Sequence, residues 1–252
     1  MSNAAHNAFS LEGKTILVTG ASSGLGQQIA ISCAERGARL IVTGRDATRL
    51  QAVYDQLAGD GHTQVLADLT SVEDRDRLVA ASPTINGLVL CVGGQMLSPI
   101  RQLKEELMTA MYRVHFLAPV MLTQRLLQAN AIAPQGSIIF MLSTSAHLGT
   151  RGVGPYASMK SGLLGIIRCL AIEQAKRKVR VNGISPSTVP TPLWGYWGED
   201  NEQSELLIKE RARHPLGLGV PQDVANGAVY LLSDASRWVT GTSLVMDGGS
   251  VI

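Results

Sequence analysis

The chain holds few of the residues that would announce a specialised architecture. Only three cysteines occur among 252 residues: Cys33, Cys91 and Cys169. They are odd in number, far apart and form no CxxC pair, which argues against a disulfide framework or a zinc ribbon. No metal centre is expected, and the thiols read as small buried hydrophobes in a reducing compartment. Charge of one sign is missing too, since the formal net charge is only +2. That balance gives no electrostatic basis for binding nucleic acid or an anionic membrane. The one basic run, Lys176-Arg177-Lys178, falls near an expected helix end, where cations suit the dipole. No run approaches the roughly 20 apolar residues of a membrane helix. The best candidate, Gly162 to Ile172, is cut by Arg168. The first ten residues carry no apolar stretch, so no signal peptide is expected and a cytoplasmic location is. Aromatics are scarce, eleven in all, yet Trp194, Tyr196 and Trp197 fall within four residues.

What is present fits one globular domain. Hydrophobic content of 45% against 17% charge supplies a core and excludes disorder. Residues 1–10 read as a disordered tail, and 11–252 as a single domain without repeats or linkers. Strand-like runs at 14–19, 38–43, 63–67, 86–92, 136–143, 179–185 and 243–246 alternate with helical patterns at 24–36, 46–58, 71–81, 101–130, 155–177 and 221–234. Such alternation predicts an α/β fold of the Rossmann-like, doubly wound type: about seven parallel strands, helices on both faces, ligands beyond the C-terminal strand ends. Residues 190–215 break the rhythm with Pro190, Pro192, Gly195, Gly198 and Pro215. They read as a substrate lid walled by the three clustered aromatics, or more plainly as a surface helix pair.

Two motifs carry chemistry. Lys14-Thr-Ile-Leu-Val-Thr-Gly-Ala-Ser-Ser-Gly-Leu-Gly26 places Gly20, Gly24 and Gly26 between an apolar strand and a helix. Glycines there allow a tight turn and let backbone approach a pyrophosphate at the helix N-terminus. Ser22, Ser23 and Leu25 belong to the same turn. In the second motif, Tyr156 and Lys160 lie four residues apart, on one face of the expected helix. A free tyrosine titrates near about 10, and a fixed cation favours its phenolate. Ser143, thirteen residues upstream, can hydrogen-bond a reacting oxygen.

These motifs, with Ala67-Asp68-Leu69, Asn182-Gly-Ile-Ser-Pro186, Thr240-Gly241 and Asp247-Gly-Gly249, resemble the single-domain short-chain dehydrogenase/reductase family from about residue 11 to 250. The resemblance implies hydride transfer with Tyr156 as acid–base, Lys160 binding the nicotinamide ribose, and Ser143 polarising the carbonyl. It places Asp68 and Leu69 at the adenine, Gly93 along the cofactor, and Pro186, Val189 and Thr191 beside the nicotinamide. It also implies a homotetramer paired through helices 101–130 and 155–177. That suits the small residues Ala157, Ser158, Ser161, Gly162 and Gly165 and the apolar end Val251-Ile252.

Strand 38–43 ends in Thr43-Gly44-Arg45, where an NAD enzyme offers a carboxylate to the ribose. The family's acidic position is Gly44, and the guanidinium of Arg45 suits a 2′-phosphate, so NADP(H) is expected. Asp46 reads as the N-cap of the next helix. Two departures stand out. Cys91-Val92-Gly93-Gly94 replaces the usual Asn-Asn-Ala-Gly. His115 stands where the family keeps an asparagine for a proton relay, and reads equally as a substitute relay or as a core histidine. His147 and Arg151 read as surface charge. The function expected is an NADPH-dependent carbonyl reductase or alcohol dehydrogenase acting on a small substrate. The alternatives are a non-catalytic nucleotide-binding regulator and an isomerase or dehydratase on the same fold.

Overall fold

The computed structural model describes residues 7–94, 97–191 and 205–251. Its element order is β1 (Thr15–Thr19), α1 (Gly24–Glu35), β2 (Arg39–Gly44), α2 (Ala47–Tyr54), β3 (Thr63–Leu66), α3 (Val72–Ala80) and β4 (Ile85–Leu90). Then follow α4 (Glu105–Tyr112), α5 (Ala118–Gln128), β5 (Ile132–Met141), α6 (Gly154–Glu173), β6 (Arg180–Pro186), α7 (Glu205–Arg213), α8 (Pro221–Leu232) and β7 (Ser243–Met246). All six strand pairings are parallel, in the order β3-β2-β1-β4-β5-β6-β7. The expected doubly wound fold is therefore observed. The order reverses between β1 and β4, and a crevice opens at their C-terminal ends.

Each sheet face is sealed by its own helices. Ile16, Val18 and Val42 pack under Ile29 and Ala30 of α1 and Val224 and Ala228 of α8. Leu17, Leu88 and Phe140 pack under Leu122 of α5 and Leu163 and Ile167 of α6. Strands buried on both sides must be almost continuously apolar, which is why β1, β4 and β5 carry unbroken hydrophobic runs.

Three local differences from expectation have physical causes. Residues 7–10, expected as tail, are docked. Ala8 O accepts from Ala235 N at 2.9 Å, and the Phe9 ring lies 6.3 Å from that of Tyr230. The helix expected over 101–130 is broken into a 3-10 turn at Ile100–Gln102, then α4, a π-turn at Arg113–Leu117, then α5. Pro119 explains the π-turn: it has no N–H to give the carbonyl four residues back, that of His115. The ladder shifts instead to i→i+5, with Ala118 N–H donating to Arg113 O. Thirdly, part of the segment expected as a lid is a regular helix, α7. It is anchored by Thr188 Oγ1 donating to Glu210 Oε2 (2.9 Å) and by His214 Nε2 on Ser187 Oγ (2.9 Å). Trp194, Tyr196 and Trp197 lie outside the described residues.

Candidate active site

The glycine turn begins where β1 ends. Gly20 has φ +63°, and a Cβ there would stand 2.1 Å from Cys91 O. A Cβ on Gly26 would stand 2.3 Å from Gly20 O. Only backbone fits at both points, so the turn is pressed onto the end of β4 and onto α1. The first turn of α1 contains no acidic residue, and its N-cap Ser23 makes no side-chain cap bond. By contrast α2 is capped by Asp46, which accepts from Arg49 N at 2.9 Å, and α3 by Ser71. An uncapped N-terminus behind a glycine turn matches the pyrophosphate of a dinucleotide. Thr191 Cβ would lie 3.4 Å from a Cβ on Gly24, while Val189 is buried and Pro186 ends β6. Of the three, Thr191 is thereby placed against the glycine turn.

At its other end the crevice meets Arg45, whose side chain is 74% exposed and only 3.9 Å from Asp68 Oδ2 as an ion pair. Burial works to raise the Asp68 carboxyl, but hydrogen bonds from Thr70 and the Arg45 charge outweigh it and hold the pKa below the usual range. Leu69 is buried, with Arg75 donating to its carbonyl. Position 44 carries no carboxylate, and a Cβ there would stand 2.9 Å from Ser22 Oγ, so any side chain would have to displace that hydroxyl. An open groove of about 660 Å³ adjoins, lined by Arg45, Thr70, Thr109 and Arg113 and also by the carboxylates of Glu105 and Glu106. The residues present thus fit a nicotinamide dinucleotide.

Ser143, Tyr156, Lys160 and His115 converge beyond β4 and β5. Ser143 follows β5, and its hydroxyl caps a 3-10 turn by accepting from Ser145 N at 3.2 Å. Lys160 is 4% exposed and donates to Met141 O at 2.7 Å. Its Nζ lies 5.5 Å from the centroid of the Tyr156 ring. Burial pushes the Tyr156 phenol up to about 12, and a hydrogen bond from Ser143 pulls the other way. Burial also brings Lys160 down to about 8. The depression of the tyrosine by the lysine, expected from spacing alone, is absent. Desolvation governs both groups, and the ammonium is turned to a backbone carbonyl.

His115 sits in the π-turn, 4% exposed, with its ring edge-to-face against Tyr156: centroids 5.1 Å apart, planes at 87°. Burial, then the Lys160 charge, lower its pKa to about 4, while a backbone hydrogen bond at Gly94 acts the other way. The imidazole is therefore neutral at physiological pH, and its Nδ1 has no partner among the described residues. Of the two loop residues read as surface charge, Arg151 is exposed, but His147 Nε2 contacts Ser185 Oγ at 2.9 Å. Cys91 is a member of the cluster that sequence reasoning does not single out as a site residue. Its thiol is pushed up to about 11 by burial, against the pull of the Lys160 charge. Only its position directly after β4 points that way.

Known proteins resemble this chain in sequence and fold. A family model described as enoyl-(acyl carrier protein) reductase matches residues 20–250. The D-threitol dehydrogenase of Mycolicibacterium smegmatis is 34% identical, over 97% of this chain and 95% of its own length. The glucose 1-dehydrogenase of Gluconobacter oxydans is 31% identical, over 94% of this chain and 91% of its own. A solved structure of a proposed NAD(P)-dependent gluconate 5-dehydrogenase from Beutenbergia cavernae, with NADP at low occupancy, superposes with a TM-score of 0.86. It is 31% identical and covers 97% of this chain and 99% of that one. Matched in fold and sequence along nearly its whole length, the chain belongs to the short-chain dehydrogenase/reductase family, as an NAD(P)-dependent oxidoreductase of CH–OH and C=O groups.

Proposed function

We propose that the protein is an NADPH-dependent carbonyl reductase, working in reverse as an alcohol dehydrogenase, on a small polyhydroxylated substrate. The observation that carries the chemistry is the convergent trio: the Ser143 hydroxyl beside the Tyr156 phenol, with the buried Lys160 ammonium 5.5 Å from the centroid of its ring. When bound, the nicotinamide supplies or accepts the hydride. Tyr156 gives its proton to the carbonyl oxygen, or takes it from the alcohol. A phenol held protonated by burial is set for donation. Ser143 orients and polarises the carbonyl. Lys160 holds the nicotinamide ribose.

NADP(H) is preferred over NAD(H) because position 44 is a glycine and offers no carboxylate, while Arg45 stands exposed with one long ion pair. The groove beside Arg45 takes the adenosine end. The polyhydroxy class rests on relatives named for threitol, glucose and gluconate. A panel of ketones, aldehydes, sugars and acyl thioesters, followed by NADPH consumption, tests the reading. Consumption with a hydroxyketone or sugar is expected. Silence across the panel would leave a nucleotide-binding regulator instead.

Lys160 gives this reading a pH signature. Its ammonium is present below about 8 and lost above it. The kcat/KM for NADPH, which reports the free enzyme, should fall as pH rises through that value. A flat profile from pH 7 to about 9.5, spanning the transition, would remove Lys160 from the working machinery.

A homotetramer is the proposed assembly. Trp238 is 91% exposed and Ile172 79%, and β7 closes one sheet edge with Val245 exposed. A Cβ on Gly241 would lie 3.5 Å from Ala171 Cβ, which sets the Trp238 loop beside the end of α6. Exposed apolar groups of this size suit a subunit contact. The glycine argument weakens: a Cβ on Gly162 would strike Phe116 of the same chain at 2.9 Å, and Gly165 faces open space. Light scattering at micromolar concentration should report four copies, and Trp238→Glu should lower that number. A monomeric wild type would end the proposal.

A further inference from the structure

The residues around Tyr156 contain a second matched pair. Gly93 has φ +124°, and a Cβ there would stand 2.3 Å from His115 Cε1 and 2.4 Å from Nδ1. No side chain other than hydrogen leaves room for the imidazole. That ring in turn meets Tyr156 edge-to-face. Lys160 Nζ also lies against the tyrosine ring. His115 itself is held in the π-turn that Pro119 imposes. Gly93, His115 and Tyr156 thus form a stack from the end of β4, through the π-turn, to α6.

We propose that His115, seated in the notch left by Gly93, is a positioning residue that fixes the ring of Tyr156 through its edge-to-face contact. It acts as a ring rather than as a proton carrier, and the residues at 93 and 115 are interdependent. The inference rests on the reading of Tyr156 as the acid–base group. Several features favour a ring over a carrier. The imidazole is almost wholly buried, it is flanked by the Lys160 ammonium, and it stays neutral through the physiological range. Both Tyr156 and Cys91, the other titratable groups facing the cluster, are themselves protonated there. His115 is therefore a weak base in this site, poorly suited to carry a proton. A flat ring, in contrast, restricts the tilt of Tyr156, and small errors of placement are costly to a proton transfer.

The test is a double-mutant cycle at positions 93 and 115, with kcat measured on the fastest carbonyl of the panel and NADPH affinity measured separately. His115→Ala should lower kcat about tenfold, the upper range of an aromatic pair, with NADPH affinity within about twofold. His115→Phe, which keeps a flat ring and no nitrogen, should recover most of that loss. His115→Asn, which keeps polarity and no ring, should not. Gly93→Ala should slow turnover about tenfold or more in the wild type, yet only about threefold on His115→Ala, where the collision is gone. The cycle cancels the backbone strain of alanine at a positive φ, since both backgrounds carry it. Recovery by asparagine and not phenylalanine would overturn the proposal in favour of a polar relay. Additive effects at 93 and 115 would overturn the interdependence. Neither result would touch Tyr156, whose own removal is judged separately by Tyr156→Phe.

Discussion

Tyr156→Phe should lose about 10²–10⁴-fold in kcat, the usual worth of general acid–base catalysis, while NADPH affinity stays within about twofold. The substitution removes one oxygen and leaves the ring. The edge-to-face contact with His115 at 5.1 Å persists, as does the Lys160 ammonium 5.5 Å from the centroid. What disappears is the transferable proton and the phenol oxygen beside Ser143. Ser143 keeps its bonds to Ser145, so the 3-10 turn after β5 should hold. The site therefore stays built and loses its proton donor. Near-normal turnover in this variant would mean that another group protonates the oxygen, and the trio would lose its meaning.

The second large effect concerns the nucleotide. Arg45→Asp should weaken NADPH binding by about 10²-fold, because charge-assisted bonds of roughly 1.5–3 kcal/mol are replaced by repulsion. NADH should bind as well as before or better, since the new carboxylate can face a bare ribose. The change also sets that carboxylate against Asp68, whose oxygen now lies 3.9 Å from the guanidinium. Two like charges at this point penalise a phosphate still further. The discrimination is local because Gly44, beside Arg45 and packed against Ser22, supplies no charge of its own. Titrating both cofactors against wild type and variant decides it. Equal losses for the two would show that Arg45 does not read the phosphate.

Much of this was legible in the chain. Apolar runs mark the inner strands within a few residues, because strands covered on both faces leave little choice of residue, while the edge strands β3 and β7 stand more exposed. The glycine turn, the Asp46 cap and the Tyr156/Lys160 spacing are local patterns, and local patterns survive folding. What was hidden depends on contacts distant in sequence. Pro119 was visible, but its consequence at His115 is a shift of the hydrogen-bond ladder that periodicity does not register. The Gly93 notch exists only because His115 arrives there from another element. The Tyr156 pKa goes the opposite way to the simple cation argument, because spacing reports proximity and not desolvation. The helical pattern of α7 is hidden inside a stretch dominated by prolines, glycines and aromatics.

The central claim is hydride transfer to a carbonyl with Tyr156 closing the reaction. It is tested most directly with NADPH doubly deuterated at the hydride-donating carbon of the nicotinamide, in wild type and in Tyr156→Phe. In the wild type, the product alcohol should carry one deuterium on its carbinol carbon for each NADPH oxidised, and the variant should form almost none. A product without deuterium, or a rearranged or dehydrated product without net NADPH oxidation, would contradict the account.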